Sequence, residues 1–153
     1  MGRDGHDQVV IVGAGPAGLA VAGRLRHAGL DYHIIEKTGH VADRWNHHYD
    51  RLHLHTVKRL SHLPHLEFPA DYPTYVSRDQ LVAYFEEYAR HFSIQPEFDT
   101  EVTSVRRHED GGWELVTNRG QRIAERVVIA TGVNQRPNFP RWRGQEAFRG
   151  TVT

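Results

Sequence analysis

Gly13, Gly15 and Gly18 stand at G-x-G-x-x-G spacing within Val9-Val10-Ile11-Val12-Gly13-Ala14-Gly15-Pro16-Ala17-Gly18. The chemistry this spacing serves is capture of a pyrophosphate. The first glycine permits a tight turn, the second lets the backbone approach phosphate oxygens with no Cβ between them, and the third lets a helix lie close on the strand. The start of that helix then offers unpaired N–H groups and a partial positive charge to an anion. Glu36 belongs with the set, about 20 residues beyond the turn as the dinucleotide fingerprint asks. A carboxylate there accepts both hydroxyls of an adenosine ribose and repels a 2′-phosphate, which disfavours NADP at this turn. The competing reading is a glycine-rich strand–helix turn that only packs well. A second strand ending in an acid weighs against it.

The elements that must position these residues follow from the pattern. Val9–Val12 reads as a buried parallel strand. Leu19, Ala20, Ala22 and Leu25 continue at helical density to Gly29, a C′ stop. Tyr32-His33-Ile34-Ile35 reads as a second strand. Residues 37–76 hold Pro64, Pro69 and Pro73 and are too rich in apolar side chains for disorder. They predict an ordered, ligand-covering excursion with short helical turns. Ser77-Arg78-Asp79-Gln80 is a capping box. Leu81, Tyr84, Phe85, Tyr88 and Phe92 then share one helix face as core, with Glu86 and Arg90 as an i,i+4 pair on the other. From Phe98 the period becomes two. Val102 and Val105 lie in a strand ending near Arg107, Trp113–Thr117 is a second, and a short third follows around Ile123. The turns are Asp110-Gly111-Gly112 and Asn118-Arg119-Gly120, which makes a three-stranded antiparallel meander. Arg126–Ala130 is another apolar strand, rejoining the parallel sheet beside the first. Its carboxyl end, Thr131-Gly132, then lies at the same crevice as the glycine turn. Pro137, Pro140 and Gly144 mark a loop leading outward.

Composition removes several function classes. Lys+Arg and Asp+Glu are 19 each among 153 residues, so no bulk attraction to nucleic acid or an anionic membrane is expected. With no cysteine, the chain cannot form disulfides, thiolate metal sites or a redox-active C-x-x-C. The polar start, Met1 to Asp7, lacks the apolar stretch of a signal peptide, and no apolar run approaches a membrane span. A cytoplasmic protein is the expectation. His53 and His55 stand among the histidines of residues 40–65, but their spacing fits no common zinc pattern. Surface or packing histidines are expected, and no metal.

At this point the ordered motifs resemble a family. Gly-Ala-Gly-Pro-Ala-Gly with Glu36, Tyr49-Asp50-Arg51-Leu52-His53-Leu54-His55-Thr56, Phe68-Pro69 with Tyr72-Pro73 and Tyr75, and Ala130-Thr131-Gly132 are together similar to the flavin-containing monooxygenases. The YUCCA-type branch and its bacterial relatives match best. The resemblance runs from about residue 8 to 150 and is far more specific than the glycine turn, which many flavoproteins share. It implies an α/β, Rossmann-like FAD/NAD(P)-binding fold, a parallel sheet plus an inserted three-stranded antiparallel β-meander. It implies a flavin-dependent monooxygenase. NADPH reduces bound FAD, dioxygen adds to the reduced ring, and the resulting peroxyflavin oxygenates a small organic substrate. FAD carries that chemistry while the protein orients it and excludes water.

Position by position, the resemblance gives Gly13, Gly15, Pro16, Ala17 and Gly18 to the FAD pyrophosphate and Glu36 to the adenosine ribose. Arg44 and Trp45 fall near the flavin, and His55 and Thr56 beside its ring, His55 being the catalytic candidate. Val102 faces adenine, and Ala130, Thr131 and Gly132 turn back toward the cofactor. Two bland readings stay open: Trp45 as a core aromatic and His55 as a structural histidine. Where the family commonly has two glycines before its tryptophan, this chain has Ala42-Asp43. The family signature Phe-x-Gly-x-x-x-His begins at Phe148-x-Gly150 and is not completed within the 153 residues. The resemblance therefore implies a disordered 1–7, an incomplete FAD-binding domain over 8–150 and a truncated end at 151–153. The NADPH site lies outside this chain, and the chain alone is expected to be inactive. A reductase or oxidase on a similar fold, or a non-catalytic FAD-binding module, are the alternatives.

Overall fold

The computed structural model describes residues 7–133 and 138–151. The tail expected over residues 1–6, the loop mark at Pro137 and the last two residues lie outside them. Strand β1 spans Asp7–Val12, helix α1 Pro16–His27 and strand β2 His33–Ile35. Asp7, assigned by sequence to the tail, opens β1. A four-residue helix α2, Asp43–Asn46, and a 3-10 turn, Lys58–Leu60, lie in the long excursion before helix α3, Arg78–His91. Strands β3 Val102–Arg107, β4 Trp113–Thr117 and β5 Gly120–Ile129 follow, then a 3-10 turn at Gln145–Ala147.

All five strands form one mixed sheet in the order β2-β1-β5-β4-β3. β1 pairs parallel with β2 and with β5, while β3, β4 and β5 pair antiparallel. The meander is thus not set apart from the parallel sheet. Its third strand and the strand that rejoins β1, read from sequence as two, are the single strand β5. Its first half, Gly120–Ala124, pairs with β4, and Ala124–Ile129 runs beside β1. The β4–β5 turn is the two-residue Asn118-Arg119, closed by Thr117 pairing with Gly120.

Local signals account for the helices. The C-terminus of α1 is a Schellman motif: Leu30 N–H donates to Leu25 C=O at 2.9 Å and Gly29 N–H to Arg26 C=O at 3.1 Å, with Gly29 at φ +68°. The capping box of α3 is reciprocal, Ser77 and Gln80 each bonding the other's backbone N–H. Leu81, Tyr84, Phe85 and Tyr88 are buried as expected, but the surface pair differs. Arg90 bonds Glu87 at i,i+3, 2.8 Å away, rather than Glu86. A long arginine side chain reaches either neighbour on the same face, and sequence spacing does not choose between them.

Helix α3 holds the excursion with its tyrosines. Tyr84 Oη accepts from Leu63 N–H at 2.7 Å and donates to Leu66 C=O at 2.6 Å, and Tyr88 Oη donates to Pro64 C=O at 2.9 Å. Burial pushes the Tyr84 hydroxyl up to about 12 despite the opposing Leu63 N–H. Tyr84→Phe strands the buried Leu63 N–H. A loss of about 1–3 kcal/mol is expected in urea unfolding, with the m-value unchanged.

Charged groups tie the end of the sheet away from the glycine turn. Glu97 accepts from His33 Nε2 at 2.7 Å and from Arg122, and Arg122 also lies 3.8 Å from Asp7. The cluster thus joins β1, β2 and β5. Burial raises the Glu97 carboxyl, but His33 and Arg122 outweigh it and hold it below its usual 4.5. Because the folded value is the lower one, the stabilisation is present above 4.5 and is lost as pH falls through the folded value. Glu97→Gln should lower Tm at pH 7 and flatten the decline of Tm as pH falls below 4.5. A decline as steep as wild type would assign the acid sensitivity elsewhere.

Among the described residues no helix is long and apolar enough to cross a membrane.

Candidate functional site

The carboxyl ends of β1, β2 and β5 meet at one crevice, and the sequence of each delivers a different part of the site. From β1 comes the glycine turn. Gly13 sits at φ +105°, and a Cβ there would stand 2.6 Å from Ala130 C=O, so the turn and the end of β5 are in direct backbone contact. A Cβ at Gly18 would stand 1.9 Å from Gly13 C=O, which is the close helix–strand approach this position needs. Gly15 is different. Its backbone, φ −75° and ψ −176°, suits any residue, and an added Cβ would meet nothing within 4 Å. The fold requires glycine at 13 and 18, but not at 15.

Gly15 is the N-cap of α1 and Pro16 follows at the start of the helix. No side chain caps this end and no acid lies in its first turn. The first-turn N–H groups and the positive end of the helix dipole therefore face the crevice with no capping side chain or first-turn acid among the described residues.

From β2 comes Glu36. Its Oε2 accepts from Ala14 N–H at 2.8 Å, and its Oε1 accepts from Thr38 N–H and Thr38 Oγ1, each at 2.9 Å. The acid is thus fastened to the glycine turn itself. Its backbone is fixed by the chain after α3: Glu36 N–H donates to Glu97 C=O and Thr100 N–H donates to Glu36 C=O, both at 2.9 Å. That alignment carries Val102, two residues further on, into the same region. Val102 is half-buried against the cluster of Val10, Val12 and Ile35.

From the excursion comes α2. Ala42 N–H donates to Ala14 C=O at 2.9 Å, so the residues leading into Arg44 and Trp45 are hydrogen-bonded to the turn. Arg44 is exposed. Trp45 is half-buried, its ring 5.3 Å from His48 and 6.2 Å from Phe85. It packs on the core, as the core-aromatic reading expects, three residues from the Ala42 that is bonded to the turn. Ala42 sits at φ +51°, a left-handed conformation that favours glycine. This is the place where the resembling family has glycines, and the backbone shape is kept although the residue is not.

The structure therefore brings together Gly13, Gly15, Pro16, Ala17, Gly18, Glu36, Ala130 and Thr131, with Gly132 following at φ +76°, and ties the short helix carrying Arg44 and Trp45 to them through Ala42. His55 and Thr56 are connected more remotely. Both are exposed, and Leu54 beside them packs into the core cluster that includes Ala14. Their segment is laced to the start of α3 by Leu54 N–H to Val76 C=O and Lys58 N–H to Thr74 C=O, each 2.8 Å. Four histidines of the excursion have separate local partners: His47 with Asp43, His53 with Arg51 C=O, His62 with Leu63 C=O and His65 stacked on His27. Among the described residues no three metal-ligating side chains converge.

Three residues that touch the site were not among the site candidates read from sequence: Ala14, Thr38 and Ala42. Ala14 and Ala42 act through backbone groups and carry no side-chain signal. Thr38 does carry one, since a threonine two residues after an acid is placed to hydrogen-bond it locally.

The comparisons with known proteins agree with this geometry. Residues 10–152 match the family model described as pyridine nucleotide-disulphide oxidoreductase. The chain is 41% identical over 145 residues to indole-3-pyruvate monooxygenase YUCCA6 of Arabidopsis thaliana, covering 91% of this chain and 35% of that protein. It is 42% identical over 144 residues to indole-3-pyruvate monooxygenase YUCCA1 of Oryza sativa subsp. japonica, covering 92% and 36%. The solved flavin-containing monooxygenase from Stenotrophomonas maltophilia superposes with a TM-score of 0.82 at 30% identity, over 95% of this chain and 44% of that one. The chain thus spans about a third of the length of the curated relatives it matches. It has no cysteine for the disulphide chemistry in the family's name. With its glycine turn, acid and mixed five-stranded sheet, the chain belongs to the pyridine nucleotide-disulphide oxidoreductase family and, within it, to the flavin-containing monooxygenases.

Proposed function

We propose that this chain is the FAD-binding portion of an NADPH-dependent monooxygenase that oxygenates a small organic substrate. The observation that carries the reading is Gly15. Neither backbone conformation nor packing requires glycine there, yet it stands at the uncapped N-terminus of α1. A glycine the fold does not need, facing helix N–H groups without an anion, is what a bound pyrophosphate requires.

Bound FAD would supply hydride acceptance from NADPH and the activation of dioxygen. The chain's own residues bind and orient it. Gly13, Gly15, Pro16, Ala17 and Gly18 would hold the pyrophosphate through backbone and helix dipole, and Glu36 the ribose. Val102 would lie along adenine, and Ala130, Thr131 and Gly132 would close the crevice from β5. Arg44, Trp45, His55 and Thr56 would flank the flavin ring, with the aromatic-rich excursion keeping water from it. The substrate, the dioxygen chemistry and the NADPH site belong to the whole protein.

The test is retention of flavin. Purified chain is mixed with FAD, freed of excess and examined by visible absorbance. Retained flavin that disappears on mutating Gly15 or Glu36 is the expected result. A folded chain that retains none, also when extended through its downstream reading frame, would overturn the assignment.

A further inference from the structure

The acceptor count at Glu36 does not close. A carboxylate offers about four acceptor positions. Three are filled from within the chain, by Ala14 N–H, Thr38 N–H and the Thr38 hydroxyl. An adenosine ribose brings two hydroxyl donors, so one internal donor is in excess. The two backbone N–H groups are fixed, that of Ala14 by the turn and that of Thr38 by the chain after β2, where Asp99 N–H donates to Thr38 C=O at 3.1 Å. The Thr38 hydroxyl is not fixed, because it has a second acceptor. His40 C=O lies 3.3 Å from Oγ1, against 2.9 Å for Glu36 Oε1, and the hydroxyl has one hydrogen to give. Rotating the O–H alone moves that hydrogen from one to the other.

Resting on the proposed FAD site, we infer that Thr38 is a specificity-determining residue of the ribose position, its hydroxyl occupying one acceptor of Glu36 until a ribose hydroxyl replaces it. When both ribose hydroxyls bind, the Thr38 hydrogen turns to His40 C=O. When the ligand lacks one hydroxyl, the Thr38 hydrogen stays on Glu36 and keeps that acceptor satisfied. The chain therefore tolerates a missing ribose hydroxyl, and it does so through Thr38. A carboxylate held by fixed donors alone would be left with an unpaired acceptor and would discriminate sharply.

The two ideas separate in a cycle between residue and ligand. ADP, 2′-deoxy-ADP and 3′-deoxy-ADP are titrated calorimetrically into the wild-type chain, Thr38→Val and Thr38→Ser, with Tm recorded for each. Wild type should lose about threefold or less for either missing hydroxyl. Thr38→Val keeps the backbone N–H and the side-chain shape. It should bind ADP at least as tightly as wild type and lose roughly tenfold or more for at least one deoxy ligand, the scale of one hydrogen bond to a charged group. Thr38→Ser should restore the wild-type pattern. Equal losses in wild type and Thr38→Val, or a folded Thr38→Val that no longer binds ADP, would overturn the role of Thr38 and leave the FAD site standing. A folded wild-type chain that binds no ADP would overturn both.

Discussion

A Gly15→Ala chain is expected to fold with nearly wild-type stability and to retain little FAD, whereas Gly18→Ala is expected not to fold. At Gly15 the methyl enters open space on a backbone any residue adopts. Alanine is a poorer N-cap than glycine, but it also restricts the unfolded chain, so the net change should stay within about 1 kcal/mol. The same methyl stands where the pyrophosphate must approach. Overpacking of about 1–3 kcal/mol at that contact corresponds to a roughly 5- to 150-fold loss of affinity. At Gly18 the methyl would stand 1.9 Å from a backbone oxygen of the turn, and no rotamer relieves that. A cost above about 3 kcal/mol consumes much of the stability of a small domain. Thermal melts and FAD absorbance on the two variants check this. Equal loss of both properties in both variants would make Gly15 another packing glycine.

The second large effect is expected at Glu36. Glu36→Ala removes the acceptor for ribose hydroxyls, and charge-assisted bonds of this kind are worth about 2 kcal/mol together, or roughly 30-fold in FAD affinity. It also strands Ala14 N–H, Thr38 N–H and the Thr38 hydroxyl, so part of the loss arises from a slackened turn. Glu36→Gln separates the two contributions. Its amide oxygen still serves Ala14 or Thr38, while its NH2 must face the other donor. Flavin fluorescence titration should therefore place Gln between Glu and Ala, with Tm following the same order. An FAD affinity unchanged in Glu36→Ala would remove this residue from the site.

What sequence could reveal was set by whether a burial regime stays constant along an element. β4 keeps one regime, and its bounds, Trp113–Thr117, were readable to the residue. The glycine turn and the α3 capping box were readable because each depends on residue type at fixed spacing. β5 changes regime midway. Gly120-Gln121-Arg122 is polar and partly exposed against β4, whereas Val127 and Val128 pack beside β1, so one strand looks like two. The site's phosphate and ribose positions were legible, but its fastening was not. Ala42 reaches Ala14 through a backbone hydrogen bond, and such a bond leaves no trace in side-chain identity. His55 and Thr56 came from family resemblance, and among the described residues their neighbour Leu54 packs against the core cluster that includes Ala14 of the turn.

The continuity of β5 has a consequence for how the molecule opens. The meander and the strand–helix–strand unit share its backbone, with Ala124 paired to Trp113 on one side and to Asp7 on the other. The two ladders meet at Ala124, so opening there disturbs both, and the two should be coupled in unfolding through that residue. Amide exchange at residues 124–128 should accordingly report global unfolding, while the excursion exchanges through local openings. The β1–β5 pairing also joins residues far apart in sequence, so it carries a large loop-closure entropy. Its formation should be the slow step of refolding, after the local turns of α1 and the β4–β5 hairpin are in place.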